Sequence, residues 1–283
     1  MKYMYIDNHT LESFIKEDIP YIDLTSELLD MKAYEGVITF VAREDGIAGC
    51  TEEVKRIFSL LDLETVTYLS SGSSFKKNDT IFHGKGHADK LHFAWKICLN
   101  LLEYSCGIAT RASKLNSLAK SVNNNIEVVV TRKSMPGTKE LVIKSAIAGG
   151  IYPHRLGLSE TILIFDNHIT FLGGVDNLIS ELPNIRKKSK EKNIIVEVKS
   201  YEEAMKLSLM KIDGIQFDKI PPQELTQYVK KVKEINPNII LLAAGGINLN
   251  NITDFASTGV DVIVTSSIFH GKPLDIKAHI QPL

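Results

Sequence analysis

Arg132 and Lys133 follow directly on the β-branched run "IEVVVT". A buried strand that ends in two cations is placed to receive an anion, and arginine offers a planar, two-pronged donor suited to carboxylate or phosphate. Other polar groups recur at matching places. His154 and Arg155 lie in the loop "GGIYPHRLG", and Asp166, Asn167 and His168 follow "TILIF". Glu197 lies inside "IIVEV", Asp218 ends "GIQFD", and Ser266 and Ser267 close "DVIVTSS". Glycines 245 and 246 end "IILLAAG" before a helix, where such a pair can turn backbone N–H groups toward a phosphate. Each has a plainer reading. Arg132 could pair with a neighbouring acid, His168 could cap a turn or fill a core, and a tight turn alone explains the glycines. Glu197 could sit in a structural salt bridge, since a buried carboxylate needs a cation or several donors. Taken together the set has a chemical logic. The cations suit carboxylates or a polyanion, the two carboxylates suit Mg²⁺ or ribose hydroxyls, and the glycine turn suits a phosphate.

These groups need elements to hold them. From about Asn125 onward, the short apolar runs "IEVVVT", "TILIFD", "IIVEV", "GIQFD", "IILLAAG" and "DVIVTSS" alternate with amphipathic stretches such as "YEEAMKLSLM" and "PPQELTQYVKKVKE". Near-continuous apolar strands alternating with helices predict a parallel sheet, and the number of units favours a β/α barrel over an open sheet. In such folds ligands bind at the carboxyl ends of the strands, where the polar groups fall. The first hundred residues read differently. "GVITFVARED" and "TVTYLSSG" predict strands, "TEEVKRIFSLL" a helix, and Gly84-Lys85-Gly86 a turn. "LHFAWKICLNLLEY" and "ATRASKLNSLAKSV" predict two helices parted at Gly107, with Asp89 as a cap for the first. The pattern is an α+β domain joined by a helix to the barrel.

At 283 residues the chain suffices for one large domain or two smaller ones, and 44% hydrophobic with 24% charged residues is ordinary for a globular protein. A net charge of -1 provides no general field for nucleic acid or anionic lipid, so any anion site must be local. The basic run "IRKKSKEK" reads as a solvated helix end. Cys50, Cys98 and Cys106 form no close metal-type pair and read as buried reduced thiols. "MKYMYIDNHT" lacks an apolar signal core, and no run is long enough to span a bilayer. A soluble cytoplasmic protein, with no nucleic-acid or membrane partner, is the expectation.

The motifs "CLNLLEYSCGIAT", "TRKSMPG", "GGIYPHRLGL", "DNHI", "VEVKSYEEA", "IQFD" and "AAGGI" resemble, in order and spacing, those of the quinolinate phosphoribosyltransferase family. The likeness covers nearly the whole chain, including "EDIPYIDLTS" and "AREDGIAGCTEE", and "TRKSMPGTKEL", "PHRLGLSET" and "FLGG" look most like the ModD branch, associated with molybdenum transport. The resemblance implies an α/β fold: an N-terminal α/β sandwich domain over residues 1–106, and a partly open β/α barrel of about six or seven parallel strands over 107–271. Residues 272–283 would return to the first domain. It implies a pentosyltransferase that joins an aromatic acid to 5-phosphoribosyl 1-pyrophosphate (PRPP) with Mg²⁺, and a homodimer with shared active sites, higher assembly left open. Carried over, Arg132, His154 and Arg155 hold the acid, and Lys133 faces PRPP. Glu197 and Asp218 lie at the ribose hydroxyls and metal, and Gly245, Gly246 and His270 at the 5-phosphate.

The chain departs from the family in places that touch the acid. An arginine that reaches into the partner's site is Lys96 here, after Trp95. The family's Lys-Asp-Asn-His is "FDNH", so Phe165 stands where a lysine reaches the active centre. Ser-Ser-Gly-Gly is Ala243-Ala244-Gly245-Gly246, and a late glycine is Ser266. Losing one charge-assisted hydrogen bond costs roughly 1.5–3 kcal/mol, about one to two decades in affinity. The leading expectation is therefore transfer to an aromatic N-heterocyclic acid other than quinolinate. The alternatives are quinolinate itself, giving nicotinate mononucleotide with decarboxylation in NAD biosynthesis, and a non-catalytic nucleotide or oxyanion sensor in molybdate handling.

Overall fold

The structure, a computed structural model, describes residues 4–283. The chain divides into two compact units. The first holds the residues up to Ser113 with Ser134–Ile151 and Phe269–Leu283; the second holds Lys114–Lys133 and Tyr152–Ile268.

The first unit is built on a four-stranded antiparallel sheet, in the order Ile276–Pro282, Glu35–Ala42, Thr80–His87, Glu64–Tyr68. Alternation along Glu35–Ala42 buries Ile38, Phe40 and Ala42 on one face. Phe82 joins them, and Phe58, from the helix Thr51–Leu60, packs on Phe82 with ring centroids 4.7 Å apart. The turn predicted at Gly84-Lys85-Gly86 is instead mid-strand, with Gly84 paired to Ile38 and Gly86 to Gly36. Gly84 makes room for a ring: a Cβ there would lie 2.2 Å from Phe58 Cε1.

Two further expectations fail on one element. Ala88–Val122 is a single helix of 35 residues, not two. Gly107 does not break it. It is buried, and a Cβ there would lie 3.1 Å from the backbone nitrogen of Leu274 and 3.2 Å from the Lys272 carbonyl. Glycine is kept for close backbone approach, at a cost in helix propensity. Asp89 is the second residue of the helix rather than its cap, and its Oδ1 is buried without a partner among the described groups.

The three cysteines are free and buried. Burial pushes the Cys50 thiol up to about 11 and that of Cys106 to about 12, and raises that of Cys98. They are inert packing residues, as their spacing predicts. A buried ion pair crosses the same unit. Lys144, on the helix Lys139–Ala148, donates to both carboxylate oxygens of Glu53, at 2.8 and 2.6 Å. A cleft of about 620 Å³ in this unit is lined by Ile97, Leu101, Tyr104, Met135 and Leu141 among others, and by none of the strand-end charged residues.

The second unit is built on a seven-stranded, all-parallel sheet. Its strands are β1 (Glu127–Val130), β2 (Tyr152–Pro153), β3 (Ile162–Ile164), β4 (Ile194–Val198), β5 (Gly214–Asp218), β6 (Ile240–Ala244) and β7 (Val262–Thr265). The lateral order is β2-β1-β7-β6-β5-β4-β3, so consecutive β2 and β3 form the two edges and the barrel is open between them. The six apolar runs are six of the strands. The seventh, β2, has two residues and is too short to show a period. Val129, Leu163, Ile195, Leu242, Ala244 and Val264 form the apolar cluster of the inner face. Among the described residues no helix is long and apolar enough to cross a membrane.

Candidate active site

Period-two alternation places Glu197, Phe165 and Ser266 just above that apolar cluster. On β4, Ile195 lies in the cluster and Glu197 is the next residue on the same face. On β7 the corresponding step from Val264 leads to Ser266, and on β3 the step from Leu163 leads to Phe165, which packs against the cluster. On β5, Gln216 and Asp218 share a face. Gln216 Nε2 donates to Glu197 Oε2 at 2.8 Å, which puts the carboxylates of β4 and β5 on the same side of the sheet.

Glu197 is half-buried, and burial pushes its carboxyl above the usual range, with the charge of Asp218 adding to the rise. The Gln216 hydrogen bond and the charges of Lys199 and Lys133 pull the other way. Folding therefore favours the protonated acid. The resulting penalty is absent below the unfolded carboxyl's pKa, grows as pH rises through the folded pKa, and is complete above it. Glu197→Gln should accordingly melt higher than the wild type at neutral pH, the difference vanishing as pH falls below the ordinary carboxylate range. Melting curves across this range check it; a neutral-pH melting temperature below the wild type's would count against a strained carboxylate.

Cations also lie beyond the strand ends, and Lys133 and Lys199 are within electrostatic reach of Glu197. Arg132 and Lys133 are exposed beyond β1, with the Lys133 N–H donating to Thr131 Oγ1 at 3.1 Å. Arg155, beyond β2, is 8% exposed, with its guanidinium carbon 5.8 Å from the Phe165 ring centroid. Burial, and then the charge of Arg132, lower its affinity for its proton. The charge of Glu160 acts the other way, and Arg155 Nη1 donates to the Thr161 carbonyl at 3.4 Å, so the two arginines form a cationic patch that a further anion would stabilise. His154 is half-buried, and its Nε2 is buried without a partner among the described groups. Burial, with the Arg155 charge, holds the ring below its ordinary pKa, so it is neutral near pH 7. His168 takes the plain alternative: its Nδ1 accepts from the Phe165 N–H at 2.9 Å, which caps the helix Asp166–Leu172.

The glycine pair turns at the end of β6 with φ of +93° at Gly245 and +73° at Gly246. A Cβ on Gly245 would lie 2.4 Å from Lys219 Cγ and 2.7 Å from Asp218 Oδ1, whereas one on Gly246 would meet nothing within 4 Å. The Gly246 carbonyl accepts from Asn248 Nδ2 at 3.0 Å and Asn251 Nδ2 at 3.2 Å, which pins the turn. Ser266 follows β7, where Thr265 Oγ1 donates to the Ile247 carbonyl at 2.6 Å.

Lys96 and His270 belong to the first unit. Lys96 is exposed, with Nζ 4.6 Å from the Trp95 ring centroid, and His270 is exposed at the end of the 3₁₀ turn Ser267–His270. Two side chains not singled out by sequence also stand in the layer. Gln216 touches Glu197. Lys199, two residues beyond Glu197, has Nζ 2.8 Å from Asp166 Oδ2. The available signals were a lone amide inside an apolar strand and the i, i+2 spacing from Glu197.

Residues 108–279 match the family model for the quinolinate phosphoribosyl transferase C-terminal domain, and residues 23–106 match that for the N-terminal domain. The chain is similar to the ModD protein of Pasteurella multocida, 31% identical over 278 residues, which cover 98% of this chain and 99% of the relative. It is also 31% identical, over 275 residues, to a probable nicotinate-nucleotide pyrophosphorylase (carboxylating) of Bacillus subtilis, with 95% and 92% covered. The solved structure of the nicotinate-nucleotide pyrophosphorylase from Francisella tularensis aligns with a TM-score of 0.86 and 25% identity, covering 98% of each chain.

Proposed function

The chain belongs to the quinolinate phosphoribosyl transferase family, and on that premise we propose that it transfers the 5-phosphoribosyl group of PRPP to an aromatic N-heterocyclic acid, releasing pyrophosphate. The observation that carries this reading is the layer itself. Arg132 and Arg155, which repel each other, and a half-buried Glu197 within electrostatic reach of Lys133 and Asp218 all lie at the carboxyl ends of parallel strands.

In this reading Arg132 and Arg155 clamp the acid's carboxylate, with His154 beside it as a neutral partner. The heterocycle nitrogen then attacks the anomeric carbon in line with the departing pyrophosphate. The bond to pyrophosphate breaks with its electrons on the leaving oxygen, and positive charge grows on the sugar. Glu197 and Asp218 stabilise that charge, and Lys133 the charge on pyrophosphate. Gly245, Gly246 and Ser266 take the 5-phosphate. Two carboxylates suit a Mg²⁺ that arrives with its phosphates, which needs only one or two protein ligands. Among the described residues no group of three or more His, Cys, Asp or Glu is placed to hold a metal. When bound, Mg²⁺ would neutralise pyrophosphate charge. The active unit is a homodimer in which Lys96 completes the partner's acid site.

Phe165 inclines the acceptor away from quinolinate. Its ring lies under the Arg155 guanidinium and on the inner apolar cluster, so it offers an aromatic face where the family has an ammonium. That is the ModD-like reading. The second reading, quinolinate itself, is favoured by the equal identity to the Bacillus subtilis protein. Calorimetry should show Mg²⁺-dependent PRPP binding, and pyrophosphate release over a panel of heterocyclic acids should name the acceptor, with a non-quinolinate acid turned over fastest. No binding at millimolar PRPP would sink the proposal. Binding without release for any acid would leave a non-catalytic sensor.

A further inference from the structure

Gln216 is 4% exposed and stands between Glu197 on β4 and Leu242 on β6, its register neighbours in the sheet. A leucine or methionine there would extend the apolar layer of Ile195 and Leu242. The amide is instead half used. Its Nε2 donates to Glu197 at 2.8 Å, while its Oε1 is buried with no donor among the described groups. An ionised carboxylate only accepts, so Glu197 determines which end of the amide faces it. A buried acceptor left unpaired is unfavourable, and at a binding site it marks a place where a ligand donates.

The chemistry narrows that donor, given the PRPP reading above, on which the inference rests. Phosphate, pyrophosphate and carboxylate groups only accept near neutral pH, and the attacking nitrogen must be unprotonated. The donors PRPP itself carries are its two ring hydroxyls. We infer that Gln216 Oε1 accepts a hydrogen bond from a ribose hydroxyl of the bound substrate, while Gln216 Nε2 holds Glu197 against the same sugar. Gln216 is thus a sugar-recognition and positioning residue, and it lets the site distinguish ribose from deoxyribose.

The test compares binding of ribose 5-phosphate with its 2-deoxy and 3-deoxy forms, without Mg²⁺ so that metal-bound water cannot act as the donor. Wild type should prefer ribose 5-phosphate over at least one deoxy form by about tenfold, the size of one neutral hydrogen bond. Gln216→Met keeps length and volume and should reduce that preference severalfold, leaving only what Glu197 and Asp218 supply; a purely structural role would lower the melting temperature and leave the preference intact. Gln216→Asn, which withdraws the oxygen but stays polar, repeats the comparison should the methionine variant not fold. Full discrimination in the variants, or none in the wild type, overturns the inference while Mg²⁺-dependent PRPP binding by the wild type still stands. Loss of wild-type PRPP binding overturns the functional reading and this inference with it.

Discussion

Gly245→Ala is expected to reduce PRPP-dependent turnover by about 10²-fold, the cost of displacing a reacting group by about 1 Å. The residue has φ of +93°, so an alanine carries the strain of the left-handed region, about 1–2 kcal/mol. Its Cβ would also lie 2.4 Å from Lys219 Cγ, 2.7 Å from Asp218 Oδ1 and 2.8 Å from the Lys219 backbone nitrogen. The lysine stem can move aside, but the backbone nitrogen cannot. That N–H donates to the Ala244 carbonyl at 2.8 Å, and Lys219 itself has φ of +59°. The Asp218 carboxylate must therefore shift from its place beside the turn. Gly246→Ala is the internal control, because its Cβ meets open space. At φ of +73° it carries the same left-handed strain, about 1–2 kcal/mol, so it should lose stability by that strain alone and lose PRPP affinity only through the approach of the phosphate. Steady-state kinetics and melting curves of both variants separate the effects. Wild-type turnover by Gly245→Ala would remove Asp218 from the chemistry.

Lys144→Ala is expected to destabilise the chain by about 3–5 kcal/mol, the range for breaking a buried ion pair from one side. The Glu53 side chain is 3% exposed and Lys144 lies 2.6 Å from it, with Glu52 3.3 Å from the same ammonium. Without the lysine, the Glu53 carboxylate is left with Arg56, 3.9 Å away and a third exposed. The double change Glu53→Met with Lys144→Met should recover most of the loss, since an apolar pair of similar volume avoids desolvating two charges. Urea titration of the two proteins decides it. A loss below about 1 kcal/mol in the single variant would rank the pair with surface ion pairs. The site chemistry uses neither residue, so catalysis per folded molecule should be unchanged.

The polar ends of the strands were legible in the sequence because a parallel α/β unit is a local pattern. The apolar run, its length and the polar residue that follows are neighbours in the chain, which is why Arg132, Lys133, Glu197, Asp218 and the Gly245-Gly246 turn could be placed on strand ends from "IEVVVT", "IIVEV", "GIQFD" and "IILLAAG" alone. Period two also dictates that Glu197 shares a face with Ile195. Where local rules misled, the cause was long-range packing. Gly84 and Gly107 look like breaks. They are glycines because Phe58 and the backbone at Leu274, distant in the chain, press against them. Only the tertiary structure decided which strands are neighbours. β7 lies between β1 and β6, and β2 and β3 end as edges, because lateral pairing depends on contacts between segments far apart in sequence. That order brings Gln216 to Glu197 and sets Arg155 over Phe165. Neither contact can be read from spacing, since each joins side chains from separate strands or loops whose distance is set by how the sheet closes.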